Sequence, residues 1–367
     1  MRSLRTGGQR AVSVEEGMLT KLTEKFRFGR PSELVGVDIG TTSIKVCTVR
    51  QIRNGFKLSK FGRKSYDDDL LHDGNIINQQ FVADELRTLL NETGINTRSA
   101  AASLSSYTVI TKRITIPFVP KEDLDQSVML EVENVIPFPL QDIYYNYYVM
   151  NSDDDKGQMM NLLIVAAKRE IVDGYVNTFN LAGLNLVILD VDIFAITNLV
   201  EMLYAPKDFS VVTADIGASV TNIAIVKGPS IEFTREILIG GKYLTADIGR
   251  VLKINYNEAE EKKLGGSAEA QELFSEFVVN VASEINKTIN FYVATKPKET
   301  VGKIYLTGGS ALVPRLKEEI ETETGIEVEF LNPFLTFNGH EGDELATHQC
   351  FAPVALYLST RIGDLET

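Results

Sequence analysis

Apolar and polar residues alternate on both sides of a glycine in the stretch Leu34 to Val46, read Leu-Val-Gly-Val-Asp-Ile-Gly-Thr-Thr-Ser-Ile-Lys-Val. Alternation of period two broken by glycine predicts a β-hairpin, with Gly40 in a conformation open to φ > 0 so that a ligand can approach the main chain. The same order of apolar run, Asp, Gly and hydroxyl residues returns at Val211 to Ala224, carrying Asp215, Gly217 and Ser219. A pattern this unusual, present twice, predicts two related halves.

Between the copies the first half continues through a strand pair ending near Lys60, a helix around Phe81 to Asn91 with Phe81, Leu86, Leu89 and Leu90 on its apolar side, and a second strand pair from Ala100 to Ile116. From Pro117 the character shifts. Leu124, Val128, Val132 and Val135 form a helical stripe that Pro137-Phe138-Pro139 ends. A tyrosine-rich strand (Ile143 to Met150), an acidic turn (Asn151 to Gly157), a strand (Asn161 to Ala167), a helix (Glu170 to Leu181) and a strand (Leu184 to Val191) complete what reads as an α/β insert in the first domain. Tyrosines at 144, 145, 147 and 148 lie on both sides of their strand, which fits a peptide groove and core packing equally well.

After the second hairpin, Gly240-Gly241 opens a helix (Lys242 to Leu252), and a charged segment follows (Asn257 to Leu264). Phe274, Phe277, Val278, Val281, Ile285 and Ile289 then keep helical spacing from Gln271 to Val293, where Lys296-Pro297 stops the run. A buried strand (Lys303 to Leu306) runs into Gly308-Gly309 and leads to a helix (Pro314 to Glu323), a strand (Ile326 to Leu331) and a last helix (Ala352 to Thr360).

Composition sets the outer bounds. The chain's 367 residues, 44% hydrophobic and 24% charged, suffice for two or three globular domains. A net charge of −13 argues against nonspecific binding to nucleic acid or an acidic membrane, both of which need clustered positive charge. Cys47 and Cys350 have no metal or redox spacing and point to a reducing compartment, and His72, His340 and His348 form no zinc motif. No apolar run approaches the ~20 residues that span a bilayer, so the chain reads as cytosolic. Residues 1–17 read as a polar tail without a signal peptide. Met18 to Arg30 places Leu19, Leu22 and Phe26 on one helical face beside Lys21, Lys25, Arg27 and Arg30, a solvated tail helix or a weak membrane-surface or docking helix.

The chemistry follows from the hairpins. Bare amides and hydroxyls suit phosphate, whereas a carboxylate such as Asp38 suits the water shell of a Mg²⁺ that bridges phosphate oxygens, with Lys45 adding a point charge. On either hairpin alone, a polar residue capping a turn is the plainer reading. No Gly-x-x-x-x-Gly-Lys-Ser/Thr, Gly-x-Ser-x-Gly or Cys/His pair supports a P-loop or hydrolase alternative.

With both hairpins and the Gly308-Gly309 loop in hand, the chain from Leu34 onward resembles the actin, heat-shock-70 and sugar-kinase superfamily. Within it, the chain most resembles the PilM family of type IV pilus machines, with FtsA cell-division proteins a close second. The resemblance rests on Val37 to Val46, Asp215 to Asn222, Ile237 to Gly241 and Leu306 to Ser310. More specific to PilM are Ile116-Pro117, Val135-Ile136-Pro137-Phe138, the place of the insert, and Leu189-Asp190-Val191-Asp192 leading into Ala195.

This resemblance implies an α/β, actin-like ATPase fold of two duplicated RNase H-like domains around a nucleotide cleft. Its expected divisions are a tail (1–33), subdomain 1A (34–116 and 190–206), an inserted 1C (117–189), 2A (207–242 and 300–367) and 2B (243–299). It implies that Asp38 and Asp215 hold Mg²⁺ through water while Gly40, Thr41, Thr42, Gly217 and Ser219 wrap the phosphates of ATP. Lys45 would touch a phosphate. Gly308, Gly309 and Ser310 would flank the adenosine, and Glu260 and Lys263 would lie near ribose and adenine, although Lys262 stands where the family has Leu. Asp192 would orient an attacking water with a shorter arm than the usual Glu, so any hydrolysis would be slow.

Three functions follow as expectations. The favoured one is an ATP-binding adaptor, cytoplasmic and peripheral to the inner membrane through its partners. It would receive the cytoplasmic N-terminal peptide of the inner-membrane pilus protein PilN in a groove between 1A and the insert. The others are an FtsA-like membrane-tethered filament former and a small-molecule kinase of the same fold.

Overall fold

The computed structural model describes residues 33–53, 55–152, 159–204, 209–228, 230–335, 337 and 349–362. The basic segment Met18 to Arg30, the acidic turn from residue 153 on, His340 and His348 lie outside them.

The first hairpin forms as expected. Strands β1 (Val35–Ile39) and β2 (Ser43–Ile52) pair antiparallel, and β3 (Gly55–Ser65) extends the meander. A two-rung ladder, β4 (Leu71–His72) with β5 (Asn75–Ile76), precedes helix α1 (Gln79–Thr93). Asn78 caps that helix by accepting from the Phe81 amide, and Gly94 ends it in the left-handed region at φ 67°. Helix α1 buries Val82, Ala83, Leu86, Leu89 and Leu90, while Phe81, expected on the apolar side, is exposed and set edge-on to Tyr66.

Strand β6 (Ser99–Leu104) lies parallel to β1. The expected pairing of the 100–116 strands does not form. A 3-10 turn at Ser106–Thr108 redirects the chain, and β7 (Val109–Pro117) pairs with a strand of a different sheet. That sheet has the order β7-β9-β8, with β8 (Ile143–Ser152) and β9 (Met159–Lys168), and is covered by α2 (Lys121–Val135). Leu124, Val128 and Val132 meet Ile143, Leu162 and Ile164 in its core.

Helix α3 (Arg169–Leu181) and β10 (Asn185–Val191) return to the first layer. β10 pairs parallel with β6, and α3 buries Tyr175 and Phe179 against the face covered by α1. By sheet membership the insert therefore runs from β7 to β9, starting before the expected residue 117 and ending before 189. The physical reason is that strand partners are chosen by burial across the sheet and not by sequence adjacency. The tyrosine strand serves packing. Tyr145 and Tyr147 lie against the insert core, whereas Tyr144 and Tyr148 lie against the first layer. Arg169 stacks on Tyr144 at 4.1 Å, and the Tyr144 hydroxyl donates to Asp173.

Helix α4 (Asp192–Tyr204) leads into the second half. Strands β11 (Ser210–Ile216), β12 (Thr221–Lys227) and β13 (Ser230–Ile237) form an antiparallel meander, and β14 (Val301–Thr307) and β15 (Val328–Phe330) add in parallel. The two sheet orders, β10-β6-β1-β2-β3 and β13-β12-β11-β14-β15, are the same motif twice. Helices α5 (Gly241–Leu252), α6 (Tyr256–Gly265), α7 (Gln271–Thr295) and α8 (Leu316–Thr324) belong to the second half, where the long apolar face of α7 closes the core.

The last helix, α9 (Pro353–Thr360), crosses back to pack on β1 and β2, outside the 2A division expected for residues 300–367. It lies flush on Gly36, where an added Cβ would come within 1.9 Å of the Ala355 carbonyl oxygen. Helices α4 and α9 share one apolar cluster with Val211, Ala224 and Tyr305, so the core that joins the halves is continuous with both.

Candidate functional site

Turn geometry fixes both hairpin loops. The Gly40 amide donates to Ser43 O at 2.9 Å, and the carbonyls of Thr41 and Thr42 accept from Leu70 and Tyr66, which leaves the loop's side chains on the cavity wall. Gly40 does not have positive φ, contrary to expectation. A Cβ there would lie 3.0 Å from the Lys45 ammonium, the movable end of a side chain, so the turn does not strictly require glycine. In the second loop Gly217 donates to Val220 O, Lys242 donates to Ala218 O, and the Ser310 hydroxyl donates to Gly217 O at 2.9 Å. Gly308 has φ 86°, and a Cβ on it would lie 2.5 Å from Asp215 Oδ1. Only glycine lets this third loop close against the carboxylate.

Both hairpins and the Gly308-Gly309 loop line one cleft. It gathers Asp38, Gly40, Thr41, Thr42, Lys45, Asp192, Asp215, Gly217, Ser219, Glu260, Lys263, Gly308, Gly309 and Ser310, the residues that the family resemblance implied for a nucleotide site. The walls also touch at the rim: Lys242 pairs with Asp69 at 2.7 Å, and Asn257 donates to Asp67 at 3.3 Å.

Charge is concentrated on the cleft floor. Asp38 pairs with Lys45 at 2.9 Å. Burial and the nearby Asp38 charge push the Asp215 carboxyl up to about 6, against the pull of Lys45. Burial and Asp215 push Asp192 up to about 7, with hydrogen bonds from the Ser106 and Ile193 amides acting the other way. Asp192 Oδ1 accepts those amides at 2.9 and 2.6 Å, and Oδ2 accepts the Asn222 amide of the opposite half at 3.3 Å. Three carboxyls facing one lysine leave a site that calls for cation.

At the other end, α6 carries Glu260 and Lys263 one turn apart, joined at 2.7 Å, with the Thr245 hydroxyl donating to Glu260. Burial holds Lys263 below its usual range, opposed by Glu260 and assisted by Arg63. The helix register at Lys262 thus places the buried lysine at 263, inside the cleft.

Sequence reading missed Arg63, Asn222, Tyr256 and Phe351, which line the same cleft. Asn222 stood inside a quoted motif. Arg63 had one usable signal, since β2–β3 pairing sets it opposite Lys45 just as β1–β2 pairing sets Lys45 opposite Asp38.

The residues fit a polar, phosphate-bearing ligand on one observation. Ser219 Oγ and Asn222 Oδ1 are buried in the cleft with no partner among the described residues, so a polar ligand there completes them. Among the described residues no group of three His, Cys, Asp or Glu side chains is placed to hold a metal alone.

Comparison with known proteins agrees with this architecture. The family described as type IV pilus assembly protein PilM matches residues 36–359. A solved PilM–PilN type IV pilus biogenesis complex superposes with a TM-score of 0.81 at 24% identity, covering 91% of this chain and 99% of that one. MreB 5 of Spiroplasma citri bound to AMPPNP gives a TM-score of 0.51 at 12% identity, covering 92% and 99%. Cell division protein FtsA of Streptococcus pneumoniae is 24% identical over 353 residues, 83% of this chain and 76% of that protein. The fold is thus the actin-like ATPase fold. Among the described residues no helix is long and apolar enough to cross a membrane.

Proposed function

The chain belongs to the type IV pilus assembly protein PilM family, and on that premise we propose that it is an adaptor which holds Mg-ATP between its halves and binds a PilN-like N-terminal peptide. The observation that carries the nucleotide part is the single cleft that unites Asp38, Asp215, Lys45 and the Gly308-Gly309 loop. In this reading Asp38 and Asp215 hold Mg²⁺ through water, and Gly40, Thr41, Thr42, Gly217 and Ser219 wrap the phosphates. Gly308, Gly309, Ser310, Glu260 and Lys263 receive the nucleoside. A bound ion would supply positive charge that offsets the phosphates. Asp192 spends both carboxylate oxygens on Ser106, Ile193 and Asn222, which favours a structural role over rapid turnover.

Support for the peptide part comes from a second cavity of about 1020 Å³, lined by Thr111 and Arg113 of β7, Leu163 of β9, Ile193 and Phe194 of α4, and Phe233 of β13. β7 and β13 are edge strands of their sheets, so both offer unpaired backbone to an extended chain. Phe233 offers a partly exposed apolar anchor, set above the buried Leu163 and Phe194. The two cavities share a wall: Ser105 and Asp192 face the cleft, and Ser106 and Ile193 face the groove. A ligand that grips both halves therefore biases the groove by its differential affinity for the closed arrangement. Binding through this groove would place the protein at the inner membrane by way of its partner.

A synthetic PilN-like N-terminal peptide titrated into the purified protein with Mg-ATP tests this reading. Micromolar binding that Phe233→Glu abolishes is expected, Phe233 being a groove residue that is only partly buried. No binding at high micromolar peptide, together with pelleting on addition of ATP, would turn the assignment toward a filament former.

A further inference from the structure

The geometry points to Arg63 as the first-half wall of the nucleoside site, a cation that stacks or hydrogen-bonds the base end of the bound nucleotide. This assignment rests on the nucleotide reading of the cleft and adds a contact from the half that otherwise supplies phosphate and metal groups. Arg63 lies on β3, two strands from Asp38 in the row Asp38, Lys45, Arg63 set by strand pairing. Neighbouring strands are about 4.8 Å apart, so its backbone stands roughly 10 Å from that of Asp38, well separated from the metal end.

Its surroundings are those of the nucleoside end. The guanidinium lies 3.6 Å from the centre of the Phe351 ring, and that ring packs on Gly309, where an added Cβ would come within 2.5 Å of it. Glu260 and Lys263 are close enough to perturb and be perturbed by the guanidinium charge. Glu260 is already engaged by Lys263 and Thr245. Arg63 Nε is buried with no hydrogen-bond partner among the described residues.

A buried donor without a partner costs free energy, and an orphan donor on a side chain lining a cavity marks a place where a ligand atom completes the structure. A guanidinium already seated over one aromatic ring can offer its planar group to a second flat partner, which lysine cannot do. The base would then be gripped by both halves, so opening the cleft would break a contact at each end of the nucleotide.

Calorimetry of wild type, Arg63→Ala and Arg63→Lys with Mg-ATP and with magnesium tripolyphosphate tests the assignment. Arg63→Ala is expected to weaken ATP at least tenfold and to leave tripolyphosphate within twofold of wild type. Arg63→Lys, which keeps the charge and the stem, is expected to weaken ATP at least threefold and decides the matter if the alanine variant does not fold. ATP binding at wild-type strength in the variants overturns the assignment. Equal losses for ATP and tripolyphosphate overturn it too, by moving Arg63 to the phosphates. If wild type itself binds no ATP, the nucleotide reading fails first and this assignment falls with it.

Discussion

Asp38→Ala is expected to weaken Mg-ATP binding at least about tenfold, or ~1.4 kcal/mol, while leaving binding of metal-free ATP nearly unchanged or slightly improved. The asymmetry follows from the Asp38–Lys45 pair at 2.9 Å. In the proposed reading, removing the carboxylate would delete one of two groups that hold the ion and would free the Lys45 ammonium to meet a phosphate without a competing anion. Calorimetry in magnesium and in excess chelator separates the two effects. An unchanged affinity for Mg-ATP would remove Asp38 from metal binding, whereas an equal loss in both conditions would make its role purely structural.

Arg361→Ala is expected to cost about 3–5 kcal/mol of stability, because it leaves the Asp190 carboxylate buried beside an empty space. Arg361 donates to Asp190, and the two side chains are 4% and 0% exposed. The pair ties the end of α9 to β10, and with it the chain's return to the first sheet. Urea denaturation measures the loss. The double replacement Asp190→Asn with Arg361→Met is expected to be milder than Arg361→Ala alone, since no charge is then left unpaired. If Arg361→Ala unfolds at the wild-type midpoint, apolar packing and not this pair holds the end of α9 to the first sheet.

Much of the site was legible because its residues sit in two local motifs whose meaning is set by neighbours in sequence. Asp38 and Asp215 each end an apolar strand before a glycine turn, and pairing within a hairpin needs no distant partner. The 271–295 helix was readable for the same reason, as its apolar spacing persists for several turns. Legibility ended where pairing became nonlocal. Nothing in residues 100–116 records that β6 belongs with β1 while β7 belongs with β9. Likewise, the pattern of α9 reads as a buried helix but does not say that β1 and β2 bury it. Arg63 and Phe351 come from opposite ends of the chain, and only the fold makes them one surface. Asp190 stood within a family motif without a role until Arg361 was placed beside it.

One unlike pair of environments organises the cleft: an acidic floor that calls for metal and a stacked, cationic end that calls for a flat, polar ligand. Lys45 and Lys263 show the contrast. The first pairs with Asp38 of the hairpin itself, and the second is buried beside Glu260, with burial lowering its affinity for a proton. The proposed ligand, a nucleoside triphosphate with its ion, would be complementary to that gradient from end to end.

The most direct test is a crystal structure with Mn²⁺ and a non-hydrolysable ATP analogue, with the metal located by its anomalous signal. A single metal peak between the carboxylates of Asp38 and Asp215, with the base against Gly308 and Gly309, is the predicted result. A peak away from both carboxylates, or a nucleotide lying along one half without touching the other hairpin, contradicts the account.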